Sequence, residues 1–486
     1  MAAATGAAAI LTPDICVIGG GSGGLTVAAT AAAFGVPVVL VERARMGGDC
    51  LNTGCVPSKA LIAAARRAAE VRDAGQFGIG AGEPRVDFKA VMAHVHATIA
   101  AIAPHDSVER FEGLGVTVIK ANARFVDADT VEAGGRLIRA RRFVIATGSR
   151  AAVPPIPGLA TVPYLTNETL FDLETLPSRL AIVGGGPIGL EMAQAFGRLG
   201  AEVVVLEAGA LLGREDPELA AVAIAAVAAD GVELIADCRI ERIEATETGV
   251  AIAIAGPEGS RMIAASHLLV AAGRAPNVEG LGLEAAGIAA SAAGIKVDAG
   301  LHSANRRVLA IGDVADVAGR GPVRFTHAAG WHGGLAIRSL LFRLPVRADR
   351  QPVPRVTYTN PEIAQAGLTE AEARALHGDR IRVLRSAFAD NDRARAEATT
   401  AGLIKLVADA RGRILGAGIV GPHAGELIAM WSLAIGAGLK LRHVAGMLVP
   451  YPTLAEIGKR AAIGYYAPSS TSPWLRKLIR LLRLFG

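Results

Sequence analysis

The chain has 486 residues, enough for about three domains at roughly 150 residues each. It is 51% hydrophobic, 20% charged and only 4% aromatic, which excludes a disordered chain and an aromatic platform for single-stranded nucleic acid. Four cysteines exclude a disulfide-stapled secreted scaffold, and the net charge of +5 awaits a location.

The first fifteen residues carry no Lys or Arg, so no secretory signal is read there. Ile15–Ile18 reads as a short apolar strand, followed by Gly19, Gly21 and Gly24 in G-x-G-x-x-G spacing. A helical stretch then runs to Gly35, and a β-branched run, Val38–Val41, closes on Glu42. The same pattern returns at Leu180–Val183, with Gly184, Gly186 and Gly189, a stretch to Gly200, and Val203–Leu206 closing on Glu207. In both copies the carboxylate stands 18 residues past the third glycine. Glycine allows the tight turn and the close approach of a pyrophosphate to a helix N-terminus, and the terminal Glu suits a ribose hydroxyl. One such motif is weak evidence, but two complete units in register predict two nucleotide sites.

Between the copies lies Gly47-Gly48-Asp49-Cys50-Leu51-Asn52-Thr53-Gly54-Cys55-Val56-Pro57-Ser58-Lys59. On a regular helix a five-residue offset separates two cysteines by about 140° and about 7.5 Å along the axis, too far for an unstrained bridge. Asn52-Thr53-Gly54 offers the break that lets Cys50 and Cys55 meet. The pair points to redox chemistry. Two free buried thiols and half of a metal site are the alternatives, and no further Cys or His lies nearby to complete zinc. Cys16 and Cys238 read as thiols without a role. Arg142–Ala146 and Val308–Ile311 are predicted strands, closed by Thr147-Gly148 and Gly312-Asp313. No uncharged apolar run reaches the roughly 18 residues of a spanning helix, and the nearest, Leu219–Ala229, reads as a buried helix segment. Past Leu344-Pro345, β-runs alternate with helices and predict a separate α+β domain.

Together these motifs, over about residues 13 to 465, resemble the class I pyridine nucleotide–disulfide oxidoreductases, the family of dihydrolipoamide dehydrogenase, glutathione reductase and mercuric reductase. The resemblance implies an α/β fold with two Rossmann-like dinucleotide-binding domains and a C-terminal α+β dimerisation domain. Its implied boundaries are 13–152 and 276–343 for the FAD-binding domain, 153–275 for the NAD(P)-binding domain, and 344–466 for the interface domain. It implies FAD on Gly19, Gly21, Gly24 and Glu42, with Gly48, Thr147, Gly148, Gly273, Gly312 and Asp313 around it. The nicotinamide cofactor would lie on Gly184, Gly186, Gly189 and Glu207. Cys55 is implied to face the flavin and Cys50 to exchange with a small redox substrate. Lys59 corresponds to the lysine beside flavin N5, and Glu191 to its carboxylate partner. Glu207 repels a 2′-phosphate and no Arg follows before Arg214, so NAD is favoured over NADP.

The family's His-Pro-Thr motif reads here as Tyr451-Pro452-Thr453, followed by Glu456. A tyrosine near pKa 10 is a poor proton shuttle at neutral pH, so Tyr451 puts exchange with small disulfides in doubt. The mercuric reductases' terminal Cys pair has no counterpart, because no Cys follows Cys238. His327 and His332 read as packing residues at a helix N-terminus, and His423 as an interface residue. The expected assembly is a homodimer in the cytoplasm, with Tyr451 and Glu456 serving the partner subunit and no metal.

Residues 467–486 form a basic amphipathic tail. Trp474, Leu475, Leu478, Ile479, Leu481, Leu482 and Phe485 share one helical face, and Arg476, Lys477, Arg480 and Arg483 the other. Those four carry most of the net +5 and leave the rest nearly neutral, so the charge gives no reason to expect nucleic acid. Two readings stay open for 473–485: packing on the protein or its dimer mate, and attachment to an anionic membrane surface.

Overall fold

The structure is a computed structural model and describes residues 10–257, 259–467 and 472–485. Residues 468–471 and 486 of the expected tail lie outside the described residues. The chain divides into two compact units, each assembled from two stretches. Unit 1 comprises residues to Pro177 with His267–Gln351, and unit 2 comprises Ser178–Ser266 with Pro352 onward.

Unit 1 is built on a five-stranded parallel sheet in the order Val308–Ala310, Arg142–Ile145, Ile15–Ile18, Val38–Glu42, Thr117–Lys120. Its central strands are apolar and β-branched because both faces are covered: Ile15, Cys16 and Val17 have no exposed surface. The helix Ser22–Ala33 packs against the helix Thr326–Phe342. Cys55–Arg72 packs on Phe88–Ile102, whose first turn is capped by Asp87 accepting from the Ala90 amide at 3.0 Å.

Unit 2 begins with three parallel strands, Arg179–Val183, Glu202–Leu206 and Glu233–Ile235. Its second stretch forms a five-stranded antiparallel sheet in the order 355–357, 362–367, 414–421, 403–409, 381–387. Helices Ala424–Gly436 and Glu456–Gly464 bring Trp431 into its core. This is the expected α+β region.

The apolar run Leu219–Ala229 departs from the expectation of a buried segment. It lies on the helix Pro217–Ala229, but only Leu219, Ala220, Ala223 and Val227 are buried. Alanine carries so little side chain that an Ala-rich run can face solvent, and hydropathy alone does not show which face is turned inward.

The N-terminus of that helix makes the chief polar contact within unit 2. The ammonium of Lys405, with 7% of its side chain exposed, lies 2.8 Å from Asp216, 2.8 Å from Glu370 and 3.0 Å from Glu218. Arg385 joins Glu218 at 2.7 Å. Burial works to lower the Lys405 pKa, but its hydrogen bonds to Asp216, Glu370 and Glu218 outweigh this and raise it. The cluster therefore ties the parallel-strand region to the antiparallel sheet with charges that satisfy one another.

Candidate active site

Each glycine motif turns from a strand into a helix whose N-cap, Gly21 or Gly186, lacks a side-chain hydrogen bond. A Cβ on Gly24 would lie 1.9 Å from the Gly19 carbonyl, and one on Gly189 1.9 Å from the Gly184 carbonyl. Those third glycines are required by the turn itself. At Gly186, by contrast, a Cβ would meet nothing within 4 Å. That bare backbone therefore serves approach from outside the turn, where an anion at the helix N-terminus is favoured.

The strand-ending carboxylates are bound alike. Glu42 accepts from the amides of Gly20 and Ala44, both at 2.6 Å. Glu207 accepts from Gly185 at 2.6 Å and Gly209 at 3.0 Å.

The cysteines sit where two helices meet. Cys50 lies on the short helix Gly48–Asn52, and Cys55 is the first residue of Cys55–Arg72. Thr53 and Gly54 break the path between them, as the spacing requires. Gly48 packs directly on the first nucleotide turn, since a Cβ there would come 2.8 Å from Gly21 Cα. Asp49, beside Cys50, accepts from Thr53 Oγ1 at 2.9 Å and Asn167 Nδ2 at 2.8 Å. It also pairs with Arg274 at 3.1 Å.

Both cysteines are free thiols, with Cys55 the more exposed. A hydrogen bond from Cys50, another from Thr326 and the charge of Lys59 bring the Cys55 thiol down to about 6, against the cost of burial. Giving that hydrogen bond and being buried push Cys50 well above the usual thiol range. The lowered Cys55 and raised Cys50 favour placing the negative charge of the reduced pair on Cys55, at a helix N-terminus that also favours an anion.

Thr326 was not singled out by sequence, yet its hydroxyl lies 3.4 Å from Cys55 Sγ. Its only local signal is its place as first residue of the helix Thr326–Phe342, within the Phe325–His332 segment. His327 is exposed and stacks on Phe325, and His332 is fully buried. The Gly312 amide donates to His332 Nδ1 at 3.2 Å, which puts the ring proton on Nε2. Burial, reinforced by Arg320, lowers the His332 pKa to about 4. A neutral imidazole therefore orients the Gly312-Asp313 turn, a more specific role than packing. His332 Nε2 has no hydrogen-bond partner among the described residues.

Asp313 accepts from Ser149 Oγ at 2.6 Å, and Ser149 Oγ in turn accepts from Arg274 at 2.7 Å. Burial raises the Asp313 pKa against these two partners. Thr147 and Gly148 are clasped by Asn277: its amide nitrogen donates to Gly148 O at 3.0 Å, its side chain donates to Thr147 O at 2.9 Å, and its carbonyl accepts from Thr147 Oγ1 at 2.8 Å. Gly273 adopts φ +134° and its carbonyl accepts from the Ala152 amide at 3.0 Å.

The remaining predicted residues belong to unit 2. Glu191 is buried on the helix Pro187–Arg198 and accepts from the Tyr358 amide at 2.9 Å. Lys59, expected beside it, belongs to unit 1 and is half-buried. Tyr451 is 71% exposed and donates to Asp392 at 3.1 Å. That bond raises its pKa, away from neutrality. Glu456 accepts from the Thr453 amide at 3.3 Å.

Residues 13–333 match the model of the pyridine nucleotide-disulphide oxidoreductases, and 353–462 that of their dimerisation domain. The chain is 36% identical over 460 residues to a mercuric reductase of Streptomyces lividans, covering 92% of this chain and 95% of that protein. It is 33% identical over 458 residues to a dihydrolipoyl dehydrogenase of Geobacillus stearothermophilus, covering 92% and 95%. The solved structure of the HOCl-induced flavoprotein disulfide reductase RclA from Escherichia coli matches with a TM-score of 0.82 at 29% identity, over 92% of this chain and 99% of that one. The chain belongs to the pyridine nucleotide-disulphide oxidoreductase family, as a flavoprotein disulfide reductase with a redox-active cysteine pair and a dimerisation domain.

Proposed function

We propose that the chain is an NADH-dependent FAD enzyme that reduces a small redox substrate through Cys50 and Cys55. The observation that carries this reading is the placement of the pair: Cys55 opens the helix Cys55–Arg72 with the Thr326 hydroxyl 3.4 Å from its sulfur, and Cys50 lies on the short helix just before it. FAD, when bound, supplies the two-electron relay between nicotinamide and disulfide. Cys50 bonds the oxidised substrate through its sulfur and passes its proton to it; the Cys55 thiolate then attacks the Cys50 sulfur, so that the disulfide forms as the Cys50–substrate bond breaks and the substrate leaves reduced by two electrons.

The residues fit FAD in unit 1. Gly21 presents bare backbone at a helix N-terminus, Glu42 is assigned to a ribose, and the Gly312-Asp313 turn, held at Gly312 by His332, is assigned to the rest of the cofactor. Gly48, Thr147, Gly148 and Gly273 are assigned to the same group. Gly184, Gly186, Gly189 and Glu207 are assigned to NADH, preferred because the Glu207 carboxylate would face a 2′-phosphate. Lys59 is assigned to the flavin's reactive side. The domain boundaries given above, a homodimer in which Tyr451 and Glu456 serve the partner's site, and a reducing cytoplasm belong to the same proposal.

The Asp392 bond, which raises the Tyr451 pKa, supports a substrate that needs no proton relay from that position, such as a metal ion, quinone or dye. Anaerobic titration with NADH tests the core of the reading. A long-wavelength thiolate–flavin absorbance should appear near two electrons per subunit, and its absence rejects a working disulfide. Turnover favouring NADPH over NADH would reject the cofactor assignment.

A further inference from the structure

We propose that the helix Pro473–Leu482 docks this chain on an anionic lipid bilayer, lying in the plane of the surface. The inference is independent of the redox reading. Ser472 caps the helix by accepting from the Leu475 amide at 3.5 Å, Pro473 opens it, and main-chain bonds continue through Phe485.

At about 100° per residue, the apolar positions from Leu481 round to Ile479 span an arc of about 160°, and Arg476, Lys477, Arg480 and Arg483 occupy the opposite side with Leu484 among them. The apolar face is not spent on the protein's own core. Trp474 is 70% exposed, Leu481 52%, Leu482 57% and Phe485 81%, with Leu475 and Leu478 half-buried, whereas Trp431 on the helix Ala424–Gly436 is 1% exposed. Packing of this face on the chain's own surface would have buried Trp474, Leu481, Leu482 and Phe485.

Charge decides among occupants. Residues 472–486 contain no Asp or Glu, so a second copy of this helix would bring like charges to the flanks of an apolar contact. An anionic surface instead matches the basic face while the acyl boundary accepts Trp474, Leu478, Leu482 and Phe485. Among the described residues no helix is long and apolar enough to cross a membrane. The attachment is therefore interfacial.

The test is sedimentation of the full chain with phosphatidylserine–phosphatidylcholine vesicles and with phosphatidylcholine vesicles alone. Each basic residue near an anionic surface strengthens binding about fivefold, so a Lys477→Gln/Arg480→Gln variant should bind the anionic vesicles roughly twenty-five-fold more weakly. High salt should release the parent protein, and Trp474 emission should shift to shorter wavelength on binding. Equal binding to both vesicle types, or equal binding by the variant, overturns the proposal. So does loss of self-association, without loss of lipid binding, in a Leu478→Glu variant; that result would assign the face to a second copy. The substitutions alter residues outside the packed cores, so unchanged thermal unfolding is the expected control.

Discussion

The two nucleotide motifs of this chain are copies down to single hydrogen bonds, and they part company at one residue. In both, the first glycine amide donates to the neighbouring strand (Gly19 to Val41 O at 2.8 Å, Gly184 to Leu206 O at 2.9 Å). In both, the residue five past the terminal Glu donates back to the second glycine (Gly47 to Gly20 O and Leu212 to Gly185 O, each at 2.9 Å). Both residues take positive φ, +86° at Gly47 and +49° at Leu212. Beyond that point the first copy enters the cysteine helix, and the second enters Asp216 and the Lys405 cluster. The repeated module is a cradle. Chemistry in one copy and mechanical coupling in the other are attached through the connection that follows it.

The largest way to separate the copies is Cys55→Ser. Turnover should fall on the order of a thousandfold or more while flavin stays bound, as measured by steady-state assay and absorbance. Retained turnover would move the chemistry elsewhere.

Lys405→Met strips the second copy's connection of its cation and leaves Asp216 buried without its partner. A loss of about 3–5 kcal/mol is expected by chemical denaturation. Acid attacks the same cluster. Glu218 is held down to about 2 by its hydrogen bond from Arg385, helped by Lys405. Its contribution is full above the ordinary value of 4.5 and disappears as pH falls toward about 2. Unfolding followed from pH 6 to pH 2 should show a smaller loss in Glu218→Gln than in the parent, because Glu370, also lowered by Lys405, still titrates in both.

Gly24→Ala and Gly189→Ala make the same clash in the two copies, costing about 1–3 kcal/mol each. The first should lower flavin content and the second NADH affinity, as read by absorbance and calorimetry. An identical deficit in both would undo the assignment of one cofactor to each copy.

The smallest effect is electrostatic. The Cys55 thiolate should be lost as pH falls through about 6 and present above it. Asp49 opposes the thiolate, so Asp49→Asn should move that midpoint lower, as followed by thiolate absorbance or alkylation rate against pH.

What sequence made legible was local. The glycine spacing, the break at Thr53-Gly54 and the amphipathic pattern of 474–485 each lie within a short window, where periodicity and turn chemistry suffice. The partners that complete the site do not. Thr326 stands 271 residues from Cys55, and Asn167 stands 118 from Asp49. The Gly312–His332 bond spans only 20 residues, but it depends on ring orientation, which spacing does not encode. The Lys405 cluster was invisible for a third reason. Lys405 sits in the strand Leu403–Asp409, where an alternating pattern puts a charge on the core side only if distant carboxylates are waiting.

Because each unit is assembled from separated stretches, the order of synthesis matters to this fold. When the ribosome has passed residue 266, the helix Pro217–Ala229 carries Asp216 and Glu218 with their cations still unmade. Lys405 follows Asp216 by 189 residues, a delay of roughly ten to forty seconds at translation rates of about 5–20 residues per second. During that interval unit 1 receives the remaining strand of its parallel sheet, Val308–Ala310, and can close. Unit 2 must wait, its acidic helix start hydrated, until the antiparallel sheet emerges to neutralise it.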